Sequence, residues 1–438
     1  MKEIVIIGNG IAGITAARHI RKFSNHRITV ISAESEYFFS RTALMYVYMG
    51  HMNWENLMPY EHDFWQKNNI NLIYDYVTQV KPTDKKLILR ESRDIEYDDL
   101  ILAVGSKPNK FGWPGQDLKG VGGLCSKQDL ERLEYYAPNK KVCKRAVIVG
   151  GGLIGIELAE MLRSRNIPVT MLVREANFWN KVLPDEEAKM LNDHIREHHI
   201  DLRLETNLDS IIDDGNGKVD AVKIKETGEI LDCDFVGLTP GVSPNVAFLE
   251  GSGIEINRGV LVNRYLETNY DHIYAIGDCS EQRKPIGNRP PVEAVWYTGR
   301  MMGEVVAQTI CDNKTAYNPS NWFNSAKFID IEYQTYGWVF NKPKAGDDDF
   351  FWRHPTQNIC IHIHYEVETK KFKGINTFGI RLRHEVMDKW LSEEKSVEYV
   401  IDHFLEANFD PEFYVDHTRN IQKEFQKNQR KKVAYELR

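Results

Sequence analysis

Two segments of this chain repeat one pattern of apolar and polar positions. Near the N-terminus a wholly apolar run, Ile4-Val5-Ile6-Ile7, leads into a glycine-rich turn. Ala16, Ala17 and Ile20 then mark a helix face, and a second apolar run follows at Ile28-Thr29-Val30-Ile31. From Arg145 to Val173 the order recurs: Ala146-Val147-Ile148-Val149, a glycine turn, a helix through Glu157-Leu158-Ala159-Glu160-Met161-Leu162, and Val169-Thr170-Met171-Leu172-Val173. Short continuous apolar runs suit strands of a parallel sheet buried on both faces. Each segment therefore predicts a βαβ unit. Further buried strands are expected at Leu100-Ile101-Leu102-Ala103-Val104, ended by Gly105, and at Tyr274 to Asp278. A helix is expected from near Pro291 through Met302. From about Trp322 the pattern becomes alternating, as in Phe328-Ile329-Asp330-Ile331-Glu332-Tyr333, and it ends helical.

Two Pro- and Gly-bearing stretches, Lys107 to Gly115 and Leu238 to Asn245, look like crossings between domains. The expected fold class is α/β: two Rossmann-like dinucleotide-binding domains, one inserted in the other, plus a C-terminal α+β domain. Residues 1–112 and 242–318 form the first domain, 113–241 the inserted one and 319–438 the third. At 438 residues the chain is long enough for two or three cores.

The turns carry the chemistry. The first is Gly8-Asn9-Gly10-Ile11-Ala12-Gly13 and the second Gly150-Gly151-Gly152-Leu153-Ile154-Gly155. In such a fingerprint one glycine makes the tight turn, one lets the backbone approach a pyrophosphate, and one lets helix and strand pack closely. The helix N-terminus then offers free N–H groups and a positive dipole end to the phosphates. Glu34 lies where a carboxylate can take both ribose hydroxyls of an adenosine. Asp278, in Ala275-Ile276-Gly277-Asp278, ends a later strand and suits a ribityl hydroxyl. At the matching strand end of the second unit stand Val173, Arg174 and Glu175. Arg174 would pair with a 2′-phosphate and points to NADPH, whereas Glu175 pulls the other way, so NADH and NADPH both stay open.

Composition adds boundaries. No apolar run approaches the ~18 residues that span a bilayer, and Met1-Lys2-Glu3 leads straight into a strand of the fold. A cytoplasmic location is the expectation. Six scattered cysteines form no CxxC pair and are expected as buried, reduced side chains. Net charge is −7, yet Arg419 to Arg438 carries a local +5 from Arg419, Lys423, Lys427, Arg430, Lys431, Lys432 and Arg438 against Glu424 and Glu436. That tail is a solvated segment or, in the sharper reading, weak contact with a membrane surface or an acidic partner. Nothing suggests nucleic-acid binding.

With both fingerprints, Leu102-Ala103-Val104-Gly105-Ser106-Lys107-Pro108, Gly241-Val242-Ser243-Pro244 and Thr268 through Asp278, the chain resembles the FAD-dependent pyridine nucleotide–disulfide oxidoreductases, the two-dinucleotide-binding flavoproteins. Ile28 through Arg41 is similar to rubredoxin and ferredoxin reductases. The resemblance implies FAD on the first domain, at Gly8, Gly10, Ile11, Ala12, Gly13, Glu34, Arg41, Thr42, Ala103, Gly105, Gly277, Asp278, Glu293, Ala294 and Trp296. It implies NAD(P)H on the second, at Gly150, Gly152, Leu153, Ile154, Gly155 and Arg174, with Gly241 at the crossing. Arg41 would lie near the flavin, Glu157 near the nicotinamide, and the helix after Pro291 would aim its N-terminus at the flavin. Glu157 and Tyr46 are the expected catalytic positions, and a homodimer is expected.

The departures shape the function. Relatives that reduce peroxide or CoA disulfide have a nucleophilic cysteine just after the Arg41 position. Here it is Thr42, which forms neither thiolate nor sulfenate. Relatives that reduce ferredoxin often pair a lysine at the Tyr46 position with the Glu157 equivalent, so here Glu157 lacks that partner. Asn324 stands where relatives place an aromatic. The expected activity is electron transfer from NAD(P)H through FAD to an external acceptor, a small ferredoxin- or rubredoxin-like protein. The alternatives are a quinone, as in type II NADH dehydrogenases, or a low-turnover flavin-bound sensor or assembly protein.

Three patterns are set aside. His194-Ile195-Arg196-Glu197-His198 matches HxxEH but lies on a polar helix and is expected as a solvated face. His362 and His364 would share one face of a strand from Ile359 to Tyr365. With no third ligand in view, no metal is expected. Asp347-Asp348-Asp349 is expected as an exposed loop.

Overall fold

The structure is a computed structural model that describes residues 1–409, 412 and 415–436, without the side chains of 433–436. Its first sheet runs, in spatial order, Ile273–Ala275, Asp99–Leu102, Glu3–Ile7, Arg27–Ser32, Ile70–Tyr74, with every neighbouring pair parallel. The second runs Ile200–Arg203, Val169–Leu172, Ala146–Val149, Phe235–Leu238, Val121–Gly122, again parallel throughout. All strands of the second sheet fall in sequence between Asp99–Leu102 and Ile273–Ala275. One α/β unit is thus inserted into the other. The two crossings meet: Ser106–Pro108 pairs antiparallel with Val242–Pro244, and the Asn109 amide donates to the Gly241 carbonyl at 3.0 Å.

A third, antiparallel sheet has the order Phe323–Phe328, Ile331–Gly337, Phe372–Phe378, Cys360–Glu366, Asp347–Arg353. Period-two alternation divides its side chains between two cores. Phe328, Tyr333, Cys360 and Phe378 share a core with Phe178 and Leu183 of the second domain. Phe350, Ile361, Ile363 and Tyr365 face the other way, under the helices His384–Ser392, Val397–Asp402 and Thr418–Glu436. That last helix buries Ile421 and Phe425, four residues apart. Each contributes about 1.5–3 kcal/mol of burial, enough to seat an otherwise polar helix.

Several local expectations are corrected. The helix placed near Pro291 spans Trp296–Ile310, because the prolines occupy the loop before it. Its Gly299 and Gly303 let it lie against the first fingerprint helix: a Cβ on Gly303 would sit 2.5 Å from the Ala12 carbonyl. Phe328 to Tyr333 is not one strand but a hairpin, turned at Ile329 (φ 60°) and Asp330. Asp347-Asp348-Asp349 is no loop; it opens a strand, and each acid has a partner. Asp347 meets Lys373 at 2.5 Å, Asp348 meets Tyr365 at 2.8 Å and Lys432, and Asp349 meets His362 at 2.6 Å. His194 is buried against Asp330 of the third domain (Nε2–Oδ1 2.8 Å), so only part of the HxxEH helix face is solvated.

In the basic tail Lys427 pairs with Glu424 and Lys432 with Asp348, while Arg438 lies outside the described residues. The six cysteines form no disulfide; four are buried, and Cys125 and Cys311 are partly exposed. Among the described residues no helix is long and apolar enough to cross a membrane.

Candidate functional site

Both fingerprints fold as their glycines require. Gly8 has φ 110°, and a Cβ there would lie 2.1 Å from the Ala103 carbonyl. Gly150 has φ 130° and meets Thr239 in the same way. A side chain is excluded at both positions on conformation and on space. Gly10 and Gly152, by contrast, have nothing within 4 Å of a Cβ, so their backbones are open to a ligand.

A cavity of about 1080 Å3 lies between the first and second domains, at the upper end of the ~300–1,000 Å3 typical of small-molecule and cofactor sites. Three of the helices that begin at its wall follow the two fingerprint turns and the proline-bearing loop. Ile11–Phe23 contributes Gly10, Ile11 and Ala12; Leu153–Ser164 contributes Leu153, Ile154 and Glu157; Trp296–Ile310 contributes Trp296, with Ala294 just before it. None of the three has a side-chain N-cap. Their first N–H groups and positive dipole ends converge on one space, which suits an anionic ligand.

Acidic groups grade this space. Arg41 forks onto Glu34, Nη1 to Oε1 at 2.7 Å and Nη2 to Oε2 at 2.5 Å, and also donates to the Cys125 carbonyl. The Lys127 amide donates to Glu34 Oε1 at 3.0 Å. Asp278 accepts from Ser106 Oγ at 2.9 Å, and burial holds its carboxyl above the usual range. Among the described residues the Glu157 carboxyl has no hydrogen-bond or ion-pair partner. Burial, with the Glu160 charge beside it, pushes its carboxyl up to about 7. Glu160, one turn further on, takes Lys327 of the third domain at 2.8 Å.

The cavity wall thus gathers Gly8, Gly10, Ile11, Ala12, Glu34, Arg41, Thr42, Ala103, Gly105, Gly277, Asp278, Ala294, Trp296, Leu153, Ile154 and Glu157. Gly13 lies beneath it, where a Cβ would strike the Gly8 carbonyl. Gly150, Gly152, Gly155, Arg174 and Gly241 lie off this wall, at the turn and edges of the second domain. Tyr46 is not on the wall; it stacks on His51 with ring centroids 6.0 Å apart. Glu293 is not there either: it is buried in an ion pair with Arg289 at 2.5 Å. Ser106, Cys125, Lys127 and Gln128 were not singled out from the sequence. The Ser126…Asp129 capping box, which starts a helix beside Glu34, was the available signal for the last two.

A family model described as pyridine nucleotide-disulphide oxidoreductase matches residues 2–303. The chain belongs to that family. FAD and NAD(P)H are its cofactors, and the residues fit them: two open glycine turns, three uncapped helix starts and an acid at the end of the second strand. The chain is 31% identical over 286 residues to a nitrite reductase [NAD(P)H] of Bacillus subtilis, a match covering 64% of this chain and 35% of that protein. It is 31% identical over 287 residues to a rubredoxin-NAD(+) reductase of Acinetobacter baylyi, covering 64% of this chain and 72% of the relative. The fold is that of an NAD-dependent persulfide reductase from A. fulgidus, with a TM-score of 0.85, 23% identity, and coverage of 98% of this chain and 83% of that one. The chain spans about a third of the nitrite reductase.

Proposed function

We propose that this flavoprotein takes electrons from NAD(P)H and passes them to a small one-electron carrier protein of the ferredoxin or rubredoxin class. Thr42 on the cavity wall carries the reading. At that place relatives that work through sulfur have a cysteine, and a hydroxyl cannot substitute for a thiolate. The cysteine that does line the cavity, Cys125, is unsuited to the task, because burial pushes its thiol up to about 12. Electrons then have no sulfur relay and must leave through the cofactor edge. The similarity to a rubredoxin reductase supports the same acceptor class.

Bound FAD supplies the exchange between a two-electron donor and one-electron acceptors. The chain's own residues position and tune. Gly10, Ile11 and Ala12 with the helix behind them hold the pyrophosphate, Glu34 the ribose and Asp278 the ribityl chain. The N-terminus of Trp296–Ile310 favours negative charge on the reduced ring system. Glu157 borders the nicotinamide position. Trp296 touches Tyr297 (centroids 5.4 Å), which touches Phe323 (4.7 Å) of the third domain, a half-buried aromatic run against which a carrier can dock.

The test is steady-state NADH and NADPH oxidation with a [2Fe–2S] ferredoxin, a rubredoxin, a quinone, peroxide and CoA disulfide as acceptors. Turnover with a protein carrier, at background with the last two, is expected. Turnover with quinone or CoA disulfide but no protein carrier contradicts the proposal.

A further inference from the structure

Away from the cavity, the third sheet holds a buried polar cluster against the second domain. His362 and His364 stand two apart on the strand Cys360–Glu366 and share its inner face. Asp349, on the edge strand Asp347–Arg353, lies in register with His364 on that same face. Donor atoms of the three all lie within 4.8 Å of one another. From the second domain Glu187 reaches the cluster, its Oε1 3.8 Å from His362 Nδ1.

The cluster is incompletely bonded. His362 Nε2 contacts Asp349 Oδ2 at 2.6 Å, but among the described residues His362 Nδ1, Glu187 Oε1 and both ring nitrogens of His364 are buried with no hydrogen-bond partner. His364 is 1% exposed and Glu187 fully buried. An unpaired buried polar group costs about 1–3 kcal/mol. His364, buried beside His362 and Asp349 with neither ring nitrogen paired among the described residues, calls for something that binds it.

We propose that Asp349, His362 and His364 form a binding site for a divalent first-row transition-metal ion, with Glu187 of the second domain behind His362, facing its other ring nitrogen. Two imidazoles and carboxylate oxygens suit zinc or iron(II) rather than calcium or magnesium, which take oxygen ligands. Ligands on bonds of about 2.0–2.2 Å stand about 3.3–3.6 Å apart in a tetrahedral shell, so His362 and Asp349 must part and the wider separations close, each by about 1 Å. A second layer is in place: Asn376 donates to the other Glu187 oxygen at 3.0 Å, and Tyr333 contacts Asn376 at 3.3 Å. Entry is open through Asp349, whose side chain is 36% exposed at the sheet edge.

The test uses full-length, untagged, FAD-loaded protein, dialysed against a chelator and then titrated with Zn2+ and with Co2+. Metal analysis after buffer exchange is expected to give about one ion per chain. His364→Ala should drop this at least tenfold and abolish the zinc-dependent rise in melting temperature. His198→Ala, in the other histidine cluster, should change neither. If His364→Ala does not fold, zinc-edge X-ray absorption on the wild type decides: a shell with two imidazoles supports the site, and one without imidazole overturns it. Wild-type protein that retains no zinc, because the cluster holds only water, overturns the proposal. So does His364→Ala protein that retains as much as wild type.

Discussion

The Arg41 guanidinium and the Glu34 carboxylate form a two-bonded fork at the cavity wall, and the Lys127 amide adds a third bond to the same acid. Arg41 comes from the far end of the segment that carries Glu34 and Lys127 from the second domain, so Glu34 is held from both sides. The carboxylate is oriented before any ribose arrives. A charged hydrogen bond is worth about 1.5–3 kcal/mol. Glu34→Ala should therefore weaken FAD binding roughly 10- to 150-fold, read by recovery of free-flavin fluorescence on dilution. Unchanged flavin affinity would remove Glu34 from the site.

Glu157 titrates against the fold. Burial raises its carboxyl from the ordinary range near 4.3 up to about 7. A raised carboxyl contributes no penalty below about pH 4.3, where it is protonated folded or unfolded. The penalty grows as pH rises and is complete above about 7. Glu157→Gln should thus gain about 3–4 kcal/mol relative to wild type at pH 8 and nothing at pH 4, seen in paired melting curves. The pH dependence of flavin reduction by NAD(P)H near 7 should vanish in the same variant. A gain independent of pH would mean that Glu157 is ionised throughout.

Glu293 shows what the sequence made legible and what it hid. The glycine turns, Glu34 and Asp278 are local demands: a tight turn after a strand, or an acid at a strand end, leaves its mark within a few residues. Glu293 stands near the right helix and only four residues from its partner Arg289, but the carbonyls of Pro319 and Ser320 that hold Arg289 away from the cavity are tertiary facts. The acids Asp347 to Asp349 misled for the same reason. Their partners are Lys373, Tyr365, Lys432 and His362, none within ten residues, and composition alone says loop. The third ligand missing from the histidine pair was one of those acids, brought across by strand pairing that no periodicity reveals.

Breaking the Arg289–Glu293 pair leaves a buried charge unpaired, at a cost of about 3–5 kcal/mol. Glu293→Ala should lower the melting temperature by many degrees while the flavin affinity of the folded fraction stays near wild type. Selective loss of FAD from a stable variant would return Glu293 to the cofactor site.

An ion pair after the strand Val169–Leu172 bears on the choice between NADH and NADPH. Glu175 holds Arg174 at 2.7 Å and Lys181 at 3.2 Å. Removing the acid frees two cations for a 2′-phosphate. Glu175→Ala should lower KM for NADPH by about tenfold relative to NADH, a change on the scale of one charge-assisted bond. An unchanged ratio would show that the phosphate binds elsewhere.

The central claim is a flavin that works without a sulfur relay, and an anaerobic titration with NADH, and separately NADPH, addresses it directly. A flavin alone takes up two electrons, whereas a flavin with an active disulfide takes up four. Bleaching of the flavin band by about one equivalent of one nucleotide per FAD, with Cys125→Ser behaving identically, is the predicted result. Uptake of a second equivalent, or no bleaching by either nucleotide, would contradict the account.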